Sequence, residues 1–556
     1  MSGRPLSTHT VTNQSPPFGG LNLFLADRPL REAVDREGAG ASATDLSGFG
    51  EACGSRHGFE IGRLANEHPP RLRRFDEKGH PLDVVEFHPA WHEAMAMSIA
   101  EGLNASPWEH LVTTAAPQPG RHVARAAGLY MVTQMEPGHV CPITMTNASV
   151  PVLLTEPSLA QDWLPRIVRR TYDRSFRPWT EKTAVTLGMG MTEKQGGTDV
   201  RANTTTARPL GAGGRAAAYA LTGHKWFLSA PMSDAFLMLA QAPRGLSCFL
   251  VPRIMPDGHV NAIRIERLKD KLGNRSNASS EVELTEATGF LVGDEGRGVA
   301  TIIEMVTMTR LDCAVASAGQ MRLALAMALD HCRHRIVFQR KLADQPLMAR
   351  VMADMALDVE AATALAFRLA RAFDEADGDA AAAAWRRVMT PVTKYYVCKL
   401  APSIATEAME CLGGNGYVEE GLAARLYREA PLNAIWEGAG NVMALDLLRV
   451  AAREPATLAV VIDTIEAITP GDARIASATA ALRRLVATAG GDEALGRTFV
   501  DRLAATAAAA LLIAHAPARV ADPYAATRLA GCFSHSYGAH AEPIDAPGVL
   551  DRALEP

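Results

Sequence analysis

The hydrophobic period of this 556-residue chain changes twice. Up to about Thr183, and again from Gly298, apolar residues recur at helical spacing in Ala-, Leu- and Met-rich runs. Between them stand short β-branched or alternating runs: TAVTLGMGMTE, AAAYALTGHKWFLS, AFLMLAQA, LSCFLVPR and ASSEVELTEATGFLVG, separated by Gly, Pro and Asn. A helical period does not sit still as a strand, so helices, a β unit and helices must follow in that order. The expectation is an α+β multidomain chain. It comprises an irregular arm over 1–45, a helical domain over 46–184 and a small antiparallel, barrel-like β domain over 185–297. A four-helix bundle over 298–450 and a further helical domain over 451–556 complete it. The bundle helices are expected at 298–335, 346–374, 382–411 and 420–450.

Length and charge narrow the function. A chain of this size exceeds one core. Its net charge of −5 offers no global attraction for nucleic acid. Eight cysteines are scattered without a CxxC pair, which points to reduced thiols and a cytoplasmic setting. The first residues carry no apolar run of the signal-peptide type, and no 18-residue uninterrupted apolar stretch predicts a membrane span. No G-x-G-x-x-G follows a strand, so a Rossmann nucleotide site is not supported. His88 and His92 stand one helical turn apart, a metal-like spacing without a third ligand. Pro89 and Trp91 instead suggest a helix start packed on an apolar partner, and no metal is expected.

Chemistry concentrates in Glu410–Arg449, ECLGGNGYVEEGLAARLYREAPLNAIWEGAGNVMALDLLR. Gly413, Gly414 and Gly416 read as a helix-to-helix turn where backbone can approach a ligand. Glu437 follows Ala434, Ile435 and Trp436 and precedes Gly438, Ala439 and Gly440. Apolar surroundings raise a carboxyl toward neutrality and small neighbours leave room for a substrate, so Glu437 is a candidate general base. The competing reading is a loop glutamate ahead of an amphipathic helix. MTEKQGGTDV (191–200) offers hydroxyls and backbone N–H groups to a ring or pyrophosphate, or is simply a hairpin turn.

These motifs together resemble the acyl-CoA dehydrogenase family. GMTEKQGGTDVRA (190–202) and ECLGGNGYVEEGLAARLYRE (410–429) are similar to its two signatures. GHKWFLS (223–229), RHRIVF (333–338) and WEGAGN (436–441) fall in the family's order. The N-terminal stretch, LKDKLGNRSNAS (268–279) and the extra C-terminal region resemble its AidB-like adaptive-response branch, linked to DNA alkylation damage.

The resemblance implies non-covalent FAD and a Glu base at Glu437 that removes the α-proton of an acyl-CoA. It implies FAD contacts from Met191, Thr192, Gly197, Thr198, Phe227, Ser229, Ile435, Trp436, Gly438 and Asn441. Arg335 and Phe338, with Gly413 and Gly414 of a second subunit, would hold pyrophosphate and adenine. Arg310 and Trp436 fall on the substrate side. It further implies a homo-oligomer, as a tetramer, and double-stranded DNA as a partner of the C-terminal domain. Arg483, Arg484, Arg497 and Arg502 are the candidate contacts there.

Several features depart from the pattern. Glu410 replaces a usual Gln, Thr307 a usual acid and Trp436 a usual Tyr. Residues 451–556 carry nine Arg and no Lys against twelve acidic residues. The expected function is weak acyl-CoA dehydrogenation with a role in the alkylation response. An ordinary acyl-CoA dehydrogenase, of the isovaleryl-CoA kind, and a non-enzymatic DNA-protecting flavoprotein are the alternatives.

Overall fold

The structure, a computed structural model, describes residues 8–489, 492–531, 536–540 and 542–555. Residues 8–27 are irregular, but the arm expected over 1–45 turns helical from Arg28. Asp27 caps the helix Arg28–Val34 by accepting from the Leu30 N–H at 3.0 Å, and Pro29 suits the first turn. Leu23, Phe24 and Leu30 are buried in the main core. The Asp27 carboxylate is itself buried, and takes the Arg322 guanidinium at 2.8 Å and the Tyr130 hydroxyl at 3.0 Å. Clustered Gly and Pro masked this segment in the sequence. Its stability comes from bonds to residues some hundred to three hundred positions away.

The next region is helical, as the period indicates, through Ala43–Gly54, Arg56–Glu67, Pro89–Ala100, Arg121–Met135, Val140–Leu153 and Pro157–Ile167. It also holds an unforeseen hairpin, β1 (Arg71–Phe75) and β2 (Pro81–Glu86). The hairpin is charged and half-exposed, but Val85 enters the core of the β domain. Arg253 donates to the Asp83 carbonyl, fastening the two units. His88 caps the helix Pro89–Ala100, His92 bonds the Tyr172 hydroxyl at 2.9 Å, and Trp91 stacks on Phe87 at 3.9 Å. No metal-binding cluster stands among the described residues.

Seven strands build the β unit: β3 (Leu187–Gly190), β4 (Thr206–Pro209), β5 (Ala218–Ser229), β6 (Ala235–Ala242), β7 (Gly245–Pro252), β8 (Ile263–Leu268) and β9 (Ser279–Val292). β4, β5, β9, β7 and β6 pair in a closed ring, and β8 adds to β9. The sheet is not wholly antiparallel. β3 and β4 both run parallel to β6, along Leu187↔Ala235 to Gly190↔Met238 and at Thr206↔Gln241. Two strands with the same direction cannot be joined as a hairpin, so the 191–205 segment is an excursion from the barrel wall. Within it Glu193 and Gly196 exchange backbone bonds as an isolated antiparallel bridge, so a tight hairpin turn does stand inside MTEKQGGTDV.

Three long bundle helices follow: Gly298–His334, Pro346–Glu375 and Ala380–Cys411. The fourth expected helix, 420–450, is broken into Leu422–Glu429 and Gly440–Arg453 with a short turn at Leu432–Ala434. Pro431, Gly438 and the left-handed backbone at Glu437 (φ 56°) interrupt it. After it, Pro455–Ile468, Ala473–Ala489, Gly496–His515, Ala518–Tyr524 and Ala546–Ala553 pack on the bundle and share its core. Glu493–His515 is long and apolar enough to cross a membrane, but two-thirds of its apolar window (67%) is buried inside the protein, as in a core helix. The seven described cysteines are all free; Cys532 lies outside the described residues.

Because Asp27 neutralises Arg322 inside the core, Asp27→Ala strands a buried cation. That loss should cost about 3–5 kcal/mol, read as a lower denaturant midpoint with little change in helical signal beforehand.

Candidate flavin and substrate site

Glu437 sits at the break in the fourth bundle helix, and the other bundle helices hold it there. Arg310, from the first, donates through Nε to the Glu437 carbonyl at 3.1 Å and pairs with Asp446 at 2.9 Å. Lys394, from the third and almost wholly buried, donates to the Trp436 carbonyl at 2.7 Å and to that of Gly438. These bonds satisfy three successive carbonyls that the broken helix leaves open. They also brace a non-glycine residue in a conformation that costs on the order of 1 kcal/mol or more.

The Glu437 side chain accepts from the Thr309 hydroxyl at 2.8 Å. It keeps some surface open while protein surrounds it on most sides. Burial pushes its carboxyl above the usual range, opposed by the Thr309 bond and the charges of Lys394 and Arg310. Trp436 is fixed by its indole N–H to Asn433 Oδ1 at 2.8 Å, and Asn433 in turn donates to Ser317. Arg310 was expected toward substrate; its guanidinium is instead committed to the base-bearing segment and Asp446. Thr307 turns its hydroxyl back to the Ile303 carbonyl at 2.9 Å.

The excursion over 191–205 is anchored from below. Lys225 and Glu193, both fully buried, pair at 2.7 Å. Glu193 also accepts from the Thr204 and Thr205 N–H groups, and Lys225 donates to the Leu239 carbonyl. Burial alone would raise the Glu193 carboxyl, but Lys225 and these bonds hold it down to about 2. Asn203 donates to the Met191 carbonyl and Trp226 N–H to that of Thr192. Gly197 lies where a Cβ would come within 2.5 Å of the Thr192 hydroxyl. Gly197 and Thr198 thereby stay exposed on a rigid base. Sequence reasoning missed Glu193 and Lys225, although both lie within the quoted motifs.

Ser229 ends β5 beside Ser279, with 3.2 Å between hydroxyls. The Cys141 thiol, in the first turn of Val140–Leu153, contacts Ser229 and lies near Glu437 and Lys271. Burial pushes that thiol up to about 11. Cys141 thus marks where the barrel and the base-bearing segment meet, which a lone Cys in the sequence could not signal.

The second group of predicted contacts lies at the other end of the bundle. Arg335 closes the first helix and donates to the Asn13 carbonyl at 2.7 Å. Phe338 is 91% exposed at the tip of a two-residue-stranded hairpin. A Cβ built on Gly413 or Gly414 would meet nothing within 4 Å. Large apolar side chains left bare (Phe227, Phe338, Ile435) and an open glycine turn are what a flat, partly apolar cofactor needs. These residues fit a flavin dinucleotide.

The four arginines predicted to meet DNA do not stand free. Arg483 pairs with Asp463 and Glu466, and Arg502 donates to the Leu529 carbonyl. Arg497 donates to Asn441 Oδ1 at 2.7 Å, tying the C-terminal domain to the helix that follows the base. Arg484 is also engaged within the chain.

Three family models match the chain in order. They are the adaptive response protein AidB N-terminal domain over 13–174, the acyl-CoA dehydrogenase middle domain over 188–287 and the acyl-CoA dehydrogenase C-terminal domain over 296–452. The AidB protein of Escherichia coli is 50% identical over 80% of this chain and 81% of its own length. This chain belongs to the acyl-CoA dehydrogenase family, in its AidB branch. Acyl-CoA dehydrogenase family member 11 of Caenorhabditis elegans is 33% identical over 77% of this chain and 69% of its own. The crystal structure of Caenorhabditis elegans ACDH-11 superposes with a TM-score of 0.83 at 27% identity, covering 95% and 94% of the two chains. As a member of this family the protein is a flavin oxidoreductase, and its cofactor is FAD.

Lys225→Met should leave Glu193 as a buried unpaired carboxylate and cost about 3–5 kcal/mol. The Glu193→Gln, Lys225→Met double variant should recover part of that loss, checked by thermal unfolding of both proteins.

Proposed function

We propose that this protein dehydrogenates acyl-CoA thioesters across the α,β bond, with Glu437 as base, and that it also acts in the response to DNA alkylation damage by binding double-stranded DNA. The observation that carries the first part is the braced Glu437. Its carboxyl is raised by burial, steadied by Thr309 and fixed in direction by Arg310 and Lys394. A base of raised pKa, matched to the acidity of a thioester α-carbon, accepts the α-proton at near-neutral pH. FAD, when bound, supplies the acceptor for the β-hydride.

Met191, Thr192, Gly197, Thr198, Phe227 and Ser229 would hold the ring and ribityl chain. Ile435, Trp436, Gly438 and Asn441 would close the site. Arg335, Phe338, Gly413 and Gly414 would take the adenylate. The Caenorhabditis elegans relative whose structure contains C11-CoA supports an acyl-CoA as ligand. Thr307, whose hydroxyl faces its own helix, offers no charge to CoA, so turnover of short branched substrates such as isovaleryl-CoA is expected to be slow. Bare apolar side chains at Ile336, Phe338, Leu347 and Tyr417 support a homo-oligomer; that it is a tetramer, and cytoplasmic, is part of the same proposal.

DNA association rests on different ground. A cleft of about 460 Å³ gathers Arg28, Arg36, Arg519, Arg552 and His515 where the N-terminal helix meets the C-terminal domain. Arg28, Arg36 and Arg552 are paired with Glu32, Glu37 and Glu360, so the cation the cleft offers is Arg519, which has no ion pair among the described residues. Phosphates need only a few such cations.

Glu437→Gln should retain FAD yet slow flavin bleaching by C11-CoA about 10²–10⁴-fold. In the parent, that rate should rise with pH as the carboxyl ionises. Equal bleaching by the variant would place the base elsewhere. Arg519→Glu should weaken binding to a DNA duplex roughly threefold to tenfold at low salt, with the difference shrinking as salt rises. Unchanged affinity in a mobility-shift titration would remove the cleft from the DNA reading.

A further inference from the structure

The N-terminal segment ties together two pieces of chain that the proposed flavin site needs at its far end. Asn13 donates through Nδ2 to the Ile336 carbonyl at 2.8 Å and accepts from the Ile336 N–H at 2.6 Å. Its own carbonyl accepts from Arg335 at 2.7 Å. The next residue, Gln14, accepts from Asn415 Nδ2 at 2.9 Å, inside the Gly413–Gly416 turn. Ser15 meets His331 at 3.3 Å. Asn13 adopts a left-handed backbone (φ 57°), a conformation that asparagine tolerates better than most residues.

The pieces so joined are weak alone. The hairpin Ile336–Val337/Arg340–Lys341 has two residues per strand, and both turn residues, Phe338 and Gln339, have positive φ. A two-stranded ribbon of that length does not hold itself in water. The Asn13 amide supplies a donor and an acceptor to the C=O and N–H of one residue, Ile336, as an added strand would. The glycine turn has no Cβ at Gly413 or Gly414 to lock it, and Tyr417 beside it is 83% exposed. Among the described residues, the short Asn13–Gln14 segment bonds to both.

We propose that Asn13 and Gln14 are positioning residues for the adenylate half of the cofactor. Within one chain they fix the Arg335–Phe338 hairpin and the Gly413–Gly416 turn at one spacing, so that arginine and open backbone, which the resemblance divides between two subunits, face the same phosphates from one. This rests on the FAD site proposed above. The isoalloxazine end, built on the barrel and Glu437, lies outside their reach.

The test uses the full chain carrying Asn13→Ala or Asn13→Asp, with Val11→Ala, at a 74% exposed position, as control. Deflavinated protein is titrated with FAD and, separately, with FMN, which ends at the first phosphate. Flavin fluorescence reports binding. Hydrogen exchange is followed over residues 335–341 and 412–417. Asn13→Ala should weaken FAD about fivefold to tenfold, the scale of one or two exposed hydrogen bonds. It should leave FMN unchanged and speed exchange in both segments together. Asn13→Asp, which keeps the acceptor for the Ile336 N–H, should fall between. Unchanged FAD affinity, or an equal loss for FMN, would overturn the inference alone. A parent that takes up no FAD would overturn the flavin site and this inference with it.

Discussion

The arrangement around Glu437 depends on a helix that is broken and then held open. A continuous fourth bundle helix would satisfy its own carbonyls and bury nothing useful. The break leaves the carbonyls of Trp436, Glu437 and Gly438 unpaired, and two buried cations, Arg310 and Lys394, take them up. Cations suit this place because they donate and because they temper the rise in the Glu437 carboxyl that burial causes. The same two residues thus stabilise a strained turn and set the character of the base. Asp446 completes the set by neutralising Arg310 one helix further on, where Arg387 also reaches it.

Other buried pairs do comparable work between units. Arg125 and Asp312 meet through two bonds of 2.7 Å, joining the first helical domain to the bundle. Asp27 and Arg322 do so for the N-terminal segment. Arg528 with Asp354 and Asp358 does so for the C-terminal domain. Burying such pairs adds little net stability, but each is costly to break from one side. They therefore specify how the units dock. Arg497 extends this to the site, since a residue of the C-terminal domain holds Asn441 beside the base.

Much of the site was legible because its chemistry is local. The glycine turn, the carboxylate among small neighbours and the hydroxyl-bearing loop each lie within a few residues of sequence. What escaped were supports that act across distance. Glu193 and Lys225 stand 32 positions apart and gain meaning only when β5 runs under the 191–205 excursion. Cys141 gains its place when the barrel docks on the helix Val140–Leu153. The arginines of the C-terminal domain show the converse limit. Charge in sequence does not show which arginines are already engaged, as Arg483 is with Asp463 and Arg497 is with the Asn441 amide.

Periodicity by itself determined the order of helical, β and helical units, because a residue's preference for a face is written at spacings of two or about 3.6 along the chain. It ran one helix through Glu437, over 420–450, and did not show the break that Pro431 and Gly438 make there. Tertiary structure alone decided that Leu23, Phe24 and the helix Arg28–Val34 belong to the core and that β3 and β4 share one edge of β6. It alone decided which cation serves the base rather than the substrate. Each of those outcomes rests on a bond between residues far apart in the chain, and such bonds form only when packing brings otherwise solvated charges and edges together.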